Sequence, residues 1–373
     1  MTNRERALNI LHYQPVDRLP AVHFGYWSEL LTEWAEQKKI PAHLAAKGNR
    51  DGSAEDRELD RLIGWDFNWA KAYGGDMGLS PKFEYKVLEV LPDGSKRVQS
   101  GSGIIERIKP GVRSIPSEDD YLLKDRAAFE ELYKPKMQYA VERARLAVFE
   151  NFKPAPEYDQ PVGLRLGSVL GDIRNMTSVV GMSYLMYDED EELFADIVDT
   201  YAEMQYKVVE AILSTGAKFD FGHFWEDICF KNGPLLDPGL FRELCGHHYK
   251  KRTELCRRHG IDLFSLDCDG VTEKLLPVWF ENGVNVMFPI EIGVWGDQFE
   301  PARRKFGEGM LGVGGMDKTA FRKDKAAVDR ELERIARLAS MGGFLPCPDH
   351  RLMPGSKFEL VQYYAEEIKK IRI

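Results

Sequence analysis

The stretch LFSLDCDGV, Leu263 to Val271, runs apolar for most of a strand's length and then delivers two carboxylates and a glycine. In an extended strand, residues two apart point to the same side, so Asp267 and Asp269 aim at one spot where Gly270 turns the chain. A helical pattern follows over 271–282, and then the β-branched run VNVMFPI at 284–290. Strand, helix and strand within so short a span describe a βαβ unit with parallel strands. Two like charges this close repel, so the pair calls for a metal, a shared proton or a cationic partner.

Working outward, the same alternation recurs. Strand candidates are LPAVHF (19–24), PVGLRLGS (161–168), FDFGHF (219–224), DLFSLD (262–267), VNVMFPI (284–290), MLGVGG (310–315) and GGFLPC (342–347). Helical periods fill 190–215, 238–259, 271–282 and 322–340, and an eighth strand fits within GWDFNWA (64–70). Eight such units make a (β/α)8 TIM barrel, with a doubly wound open sheet as the competing arrangement. The segment 85–108 instead alternates around Pro92-Asp93-Gly94, which predicts a β-hairpin inserted near residues 84–110. The Lys-, Glu- and Pro-rich stretch 109–160 is expected to wrap the outside as helices and loops, and the length allows one large domain, residues 1–373 as a single barrel, or two medium ones.

Composition narrows the function. A formal net charge of −9 argues against nucleic acid or an anionic membrane as the main partner. No apolar run is long enough to span a bilayer, and the start MTNRERALNILHY is charged and amphipathic, unlike a secretory signal. Five cysteines without a CxxC spacing give no disulfide framework, and a reduced, cytoplasmic location is expected.

In a barrel the reactive groups gather at the C-terminal strand ends. His223, Phe224, Trp225, Glu226 and Asp227 follow one strand, Asp267 and Asp269 the next, then Glu291, then Asp317, then Asp349 and His350. An aspartate after a strand is often only the N-cap of the next helix, and Asp317 and Asp227 suit that role best. Asp267, Asp269, Glu291 and His350 would converge within metal-binding reach. Zinc accepts imidazole nitrogen and carboxylate oxygen, although hard octahedral ions suit such donors too. Cys268 should point away from the aspartates. Cys347, three residues before His350, is a further candidate ligand beside the ordinary role of a buried thiol. His247 and His248 read as structural or surface residues. Tyr26, Trp27, Trp69, Tyr73, Phe224 and Trp225 could wall an apolar pocket for a flat molecule, or simply pack. Arg165 could bind a substrate carboxylate or sit in an interior ion pair. Phosphate-loop, nucleophile-elbow and HExxH motifs are missing.

Several blocks resemble the uroporphyrinogen decarboxylase superfamily: TNRERALNILHYQPVDRLPA (2–21), LGSVLGDIRNMTSVVGMSYLMYDEDEELFADIVDTY (166–201), PLLDPGLFRELCGHHYKKRTELCRRHGI (234–261), LGVGGMDK (311–318) and MPGSKFELVQYYAEEIKK (353–370). The resemblance implies a (β/α)8 barrel. True decarboxylases of that superfamily carry an arginine-rich stretch after the first strand, where this chain reads FGYWSELLTEW (24–34), without arginine. The other branch comprises corrinoid-dependent methyltransferases, whose zinc is held by an H-x-C-G motif and a later cysteine. Here Asp267-Cys268-Asp269-Gly270 and His350 stand at those places, which exchanges sulfur for oxygen and nitrogen donors. A harder Lewis acid suits an oxygen atom better than a thiol. The resemblance therefore implies an O-demethylase component that moves a methyl group from a small donor, an aryl methyl ether, to the corrinoid of a separate partner protein. Glu226 or His223 would serve as proton donor or orient a ligand. A decarboxylating lyase and a non-catalytic binding protein are the alternatives, and a homodimer stays open.

Overall fold

The computed structural model of the chain describes residues 1–45, 51–110, 116–145, 159–187, 190–294, 296 and 299–373. Short apolar runs pair in parallel because long helical crossovers separate them. The strands in chain order are β1 (Val22–His23), β2 (Phe67–Asn68), β3 (Ala72–Tyr73), β4 (Lys86–Val90), β5 (Lys96–Gln99), β6 (Ile104–Ile108), β7 (Ser117–Tyr121), β8 (Gly163–Gly167), β9 (Phe221–Trp225), β10 (Cys229–Phe230), β11 (Gly233–Pro234), β12 (Leu263–Asp267), β13 (Val286–Phe288), β14 (Leu311–Met316) and β15 (Phe344–Pro348).

A seven-stranded parallel sheet runs in the order β15-β14-β13-β12-β9-β8-β3. Beside it β1 and β2 form a two-stranded parallel ribbon. Just beyond β1 and β15 the chain makes a parallel bridge between Tyr26 and Leu352. The arrangement is a mixed α/β fold of TIM-barrel-like type. The eighth strand expected within 64–70 is broken in two: Phe67–Asn68 joins the ribbon, and Ala72–Tyr73 joins the sheet.

Helices cover one side of this sheet, among them Glu191–Ser214, Pro238–Arg258, Leu276–Glu281, Lys325–Ala339 and Phe358–Glu367. Local chemistry sets their starts. Asp237 caps the second by accepting from the N–H groups of Gly239 and Leu240 at 2.9 and 3.0 Å, with Pro238 in the first turn. Asp324 does the same for Ala327 at 2.9 Å. The helix expected over 271–282 is shorter, Leu276–Glu281, because residues 271–275 turn at the sheet rim.

Strand periodicity sorts the core into two faces. Leu164, Leu166, Phe224 and Leu266 are buried towards the helices. On the other face Trp69 stacks on Phe221 at 4.3 Å and donates from Nε1 to Ser265 Oγ at 3.2 Å. A stacked aromatic pair adds roughly 0.5–1.5 kcal/mol beyond its area burial.

Strands β4 to β7 build a separate four-stranded antiparallel sheet, ordered β4-β5-β6-β7. Its first two strands flank Pro92-Asp93-Gly94, where Gly94 takes a positive φ of 80° and Asp93 accepts from Ser95 N at 2.9 Å. The insertion is thus larger than two strands. In the stretch 109–160, residues 111–115 and 146–158 lie outside the described residues.

Candidate metal centre

Along β12, strand alternation puts Ser265 and Asp267 on one face, and Asp267 at the strand end is only 7 % exposed. The chain then needs Gly270. Its φ is +90°, and a Cβ there would lie 2.7 Å from the Cys229 carbonyl carbon and 2.8 Å from Phe230 N. That close approach lays residues 268–270 against the segment after β9. There Asp227, itself at φ +50°, accepts a hydrogen bond from the Asp269 backbone N–H at 3.1 Å.

The outcome is a group of three carboxylates. One oxygen from each of Asp227, Asp267 and Asp269 lies within 4.8 Å of the others. Asp269 Oδ2 also meets His350 Nε2 at 3.0 Å, while its Oδ1 is buried without a hydrogen-bond partner. Electrostatics follow from the crowding. Burial, and then the charges of Asp227 and Asp269, push Asp267 well above the carboxylate range. Burial and Asp269 raise Asp227 to about 6. Burial works against the His350 imidazolium, but the hydrogen bond and charge of Asp269 outweigh it and hold that group above its ordinary value.

Aromatic rings fix His350. Trp27 stacks on it at 5.8 Å with an interplanar angle of 22°, and Phe24 meets it edge-on at 5.4 Å. The neighbouring Arg351 binds Asp51 through both terminal nitrogens at 3.0 and 2.6 Å and lies 5.1 Å from the Phe24 ring centre. Arg351 also offsets part of the Asp267 charge. Neither Asp51 nor Arg351 stood out in the sequence, because a salt bridge between residues 300 positions apart has no local pattern.

The acidic group differs from the expected ligand set at two positions. Glu291 is not in the acidic group: its carboxylate takes Lys318 Nζ at 2.6 Å, and burial raises it to about 7 against the pull of that ammonium. Asp227, expected as a helix cap, takes the place instead. Its signal was present in the register, since Asp267 pairs with Trp225 and the residues two further along each strand must also be neighbours. Asp317 does cap, accepting from Thr319 N at 2.8 Å. Cys347 and Cys268 are buried and outside the group.

Glu226, whose backbone N–H donates to the Asp267 carbonyl at 2.9 Å, turns its carboxylate into the protein interior. It is fully buried and accepts five hydrogen bonds: from Val169 N at 2.7 Å, Leu170 N at 2.9 Å, Gly171 N at 2.8 Å, Ser168 Oγ at 3.1 Å and Tyr249 Oη at 2.6 Å. All but Tyr249 lie at the head of the helix Gly171–Met186, where a buried anion is well placed. A Cβ on Gly171 would collide with the Glu226 carbonyl. Asp349 is a similar tie, accepting from Ile292 N, Gly293 N and Lys318 N at 2.9, 2.7 and 3.0 Å.

The aromatic residues separate by side. Trp27 reaches His350, and Trp225 is half-buried with the Arg174 guanidinium 5.9 Å from its ring. Trp69 forms the floor with Phe221. Tyr73 is half-buried under Lys71 Nζ, 5.5 Å away. Phe224 faces outward onto Tyr249 at 5.1 Å, and Tyr26 is buried between His23 and Trp34 at 5.4 and 5.8 Å. Those two do not line the mouth, because strand alternation turns Phe224 to the helices and Tyr26 packs into the core. Arg165 extends from β8 beside His223, its register partner on β9. His223 is 6 % exposed, and burial and Arg165 together lower its imidazole to about 3. His247 and His248 lie on the outer helices around Asp199, with Nε2 to Oδ1 distances of 3.7 and 2.8 Å.

A parallel α/β sheet of TIM-barrel-like type thus carries strand-end carboxylates beside one imidazole, a candidate metal centre. No protein-family model and no curated protein matches the chain. Among solved structures, a methyltransferase from Methanosarcina mazei shares the fold, with a TM-score of 0.57 at 15% identity over 99% of this chain and 98% of its own. A B12-independent methionine synthase from Shewanella sp. W3-18-1, in complex with selenomethionine, aligns at a TM-score of 0.49 and 12% identity over 95% of this chain and 98% of its own. Among the described residues, no helix is long and apolar enough to cross a membrane.

Proposed function

We propose that residues 1–373 form one metal-dependent methyltransferase unit, which moves a methyl group from an aryl methyl ether to the corrinoid of a separate protein. The observation that carries the reading is Asp269 Oδ1, buried and without a hydrogen-bond partner amid two further carboxylates. An orphaned buried oxygen among like charges costs free energy that a bound cation would remove. The donor set of three carboxylates and one imidazole fits a divalent ion, zinc by preference. The shared fold with the Methanosarcina mazei methyltransferase supports the same direction. We further infer that the β1–β2 ribbon and the Tyr26–Leu352 bridge complete an eight-stranded barrel.

In this reading Asp227, Asp267, Asp269 and His350 hold the metal, which when bound supplies a Lewis acid for an ether oxygen. Trp27 and Phe24 lock the His350 ring, so that its nitrogen stays aimed at Asp269. Arg351, fixed by Asp51, moderates the accumulated negative charge. Trp225 and Trp27 give the methyl donor apolar walls. The arginine-rich stretch of the decarboxylases has no counterpart at 24–34, which weighs against a lyase.

Elemental analysis of wild type beside Asp269→Asn tests the centre. Near-stoichiometric metal in wild type, lost in the variant, together with demethylation of methoxylated aromatics by wild type plus a corrinoid protein, is the expected result. Absence of bound metal, with none taken up on addition, removes the basis of the reading.

A further inference from the structure

We infer that Arg165 and His223 form an anion-binding subsite that holds a carboxylate of the substrate. The inference deepens the methyl-transfer reading and rests on it for calling the ligand a substrate. Arg165 is the one exposed residue in β8, whose other four residues are buried. Leu164 and Leu166 on either side are fully buried, and strand alternation sends Arg165 the other way. Room for it comes from Gly74: a Cβ there would lie 2.7 Å from Arg165 Cβ. Among the described residues, no carboxylate lies within ion-pair distance of this guanidinium.

The acid that answers Arg165 electrostatically is otherwise engaged. Asp172 accepts from Tyr201 Oη at 3.0 Å and from Gln205 Nε2 at 3.4 Å, and burial raises it to about 6. His223, opposite Arg165 in register, is more than nine-tenths buried and its Nδ1 has no hydrogen-bond partner. Phe221 and Phe288 flank its ring at 6.3 and 5.9 Å, so neither offers it a polar group. Arg165, without a counter-ion among the described residues, thus stands opposite His223, whose buried Nδ1 has no partner. A carboxylate satisfies both, one oxygen on each.

Placement suits a bifunctional ligand. Arg165 on β8 and Asp267 on β12 are separated by β9, which puts their backbones about 10 Å apart across the sheet. By register and strand alternation both lie on the sheet face that carries His223 and Ser265. An aromatic carboxylate with its methoxy group directed at the acidic cluster would bridge the two.

Titration calorimetry with benzoate, and with neutral benzamide as the shape control, reads this subsite without metal or turnover. Benzoate should bind wild type at least tenfold more tightly than benzamide. Arg165→Gln should lose about tenfold to a hundredfold of that affinity, in line with a hydrogen bond to a charged group. Gly74→Ala, which displaces Arg165 without removing its charge, should also weaken benzoate. Equal affinity for benzoate and benzamide, equal affinity for inorganic phosphate, or an unchanged Arg165→Gln variant would overturn the assignment. Failure of the metal reading would appear instead in the metal content of wild-type protein, with benzoate binding intact.

Discussion

Glu226→Gln separates a structural anchor from a catalytic acid. In the native site one carboxylate oxygen accepts from Val169 N and Tyr249 Oη, and the other from Ser168 Oγ, Leu170 N and Gly171 N. The amide of glutamine must set its NH2 against one of these groups. The less costly choice faces Val169 N and Tyr249 Oη, since the tyrosine hydroxyl can rotate to accept. That still leaves one buried backbone N–H unsatisfied, at about 1–3 kcal/mol, and it removes the charge assistance from the remaining bonds. A loss of about 3 kcal/mol follows, which at a slope near 3 kcal/mol/M lowers the urea midpoint by about 1 M. Glu226→Ala orphans all five donors and should exceed the margin of a typical domain, so it should not accumulate as folded protein. The assay is urea denaturation followed by tryptophan fluorescence, with metal content measured on the same samples. Glu226→Gln should keep its metal. A midpoint within about 0.2 M of wild type, combined with lost turnover, would refute the anchoring argument and return Glu226 to the chemistry.

Three other outcomes are expected. Glu291→Gln should retain stoichiometric metal by elemental analysis, yet lose about 1–2 kcal/mol in denaturation, because the buried Lys318 ammonium keeps only its longer contact to Asp349 Oδ1 at 3.5 Å. Gly270→Ala should lower metal occupancy and stability together, since the added Cβ meets backbone atoms at 2.7–2.8 Å while φ is +90°. His223 titrates near 6.5 when unfolded but about 3 when folded, so between those values the unfolded state binds more protons and stability falls as pH falls. Replacing it with Asn should flatten that slope by a few kcal/mol between pH 6.5 and 4, as read from urea midpoints at each pH.

How much of this was legible follows from range. The strand centred on Leu263–Asp267, its helix and the next strand were readable because apolar period and glycine punctuation are local. The two carboxylates of the DCDG motif were readable for the same reason. Asp227 was legible only through strand register, which a single sequence does not display. Glu291 and Glu226 stand at strand ends just as a ligand would. Their partners, Lys318 and the head of the helix Gly171–Met186, lie 27 and about 55 residues away and decide their roles. The extra antiparallel strands were partly hidden because β7, Ser117–Tyr121, has four polar residues in five and buries none of them fully, so hydrophobic alternation carries no information there.

The two buried carboxylates that collect backbone N–H groups, Glu226 and Asp349, stitch the rim at opposite sides of the acidic cluster. Metal-dependent small domains commonly use ion binding to drive folding, so that chelation unfolds them. Here the loops are tied by the chain's own anions, which keeps the three aspartates assembled whether or not a cation is present. On the proposed reading, the free energy of ion capture would then go to displacing the proton that burial keeps on Asp267 rather than to ordering loops. Removing the ion should leave a folded vessel, ready to be refilled.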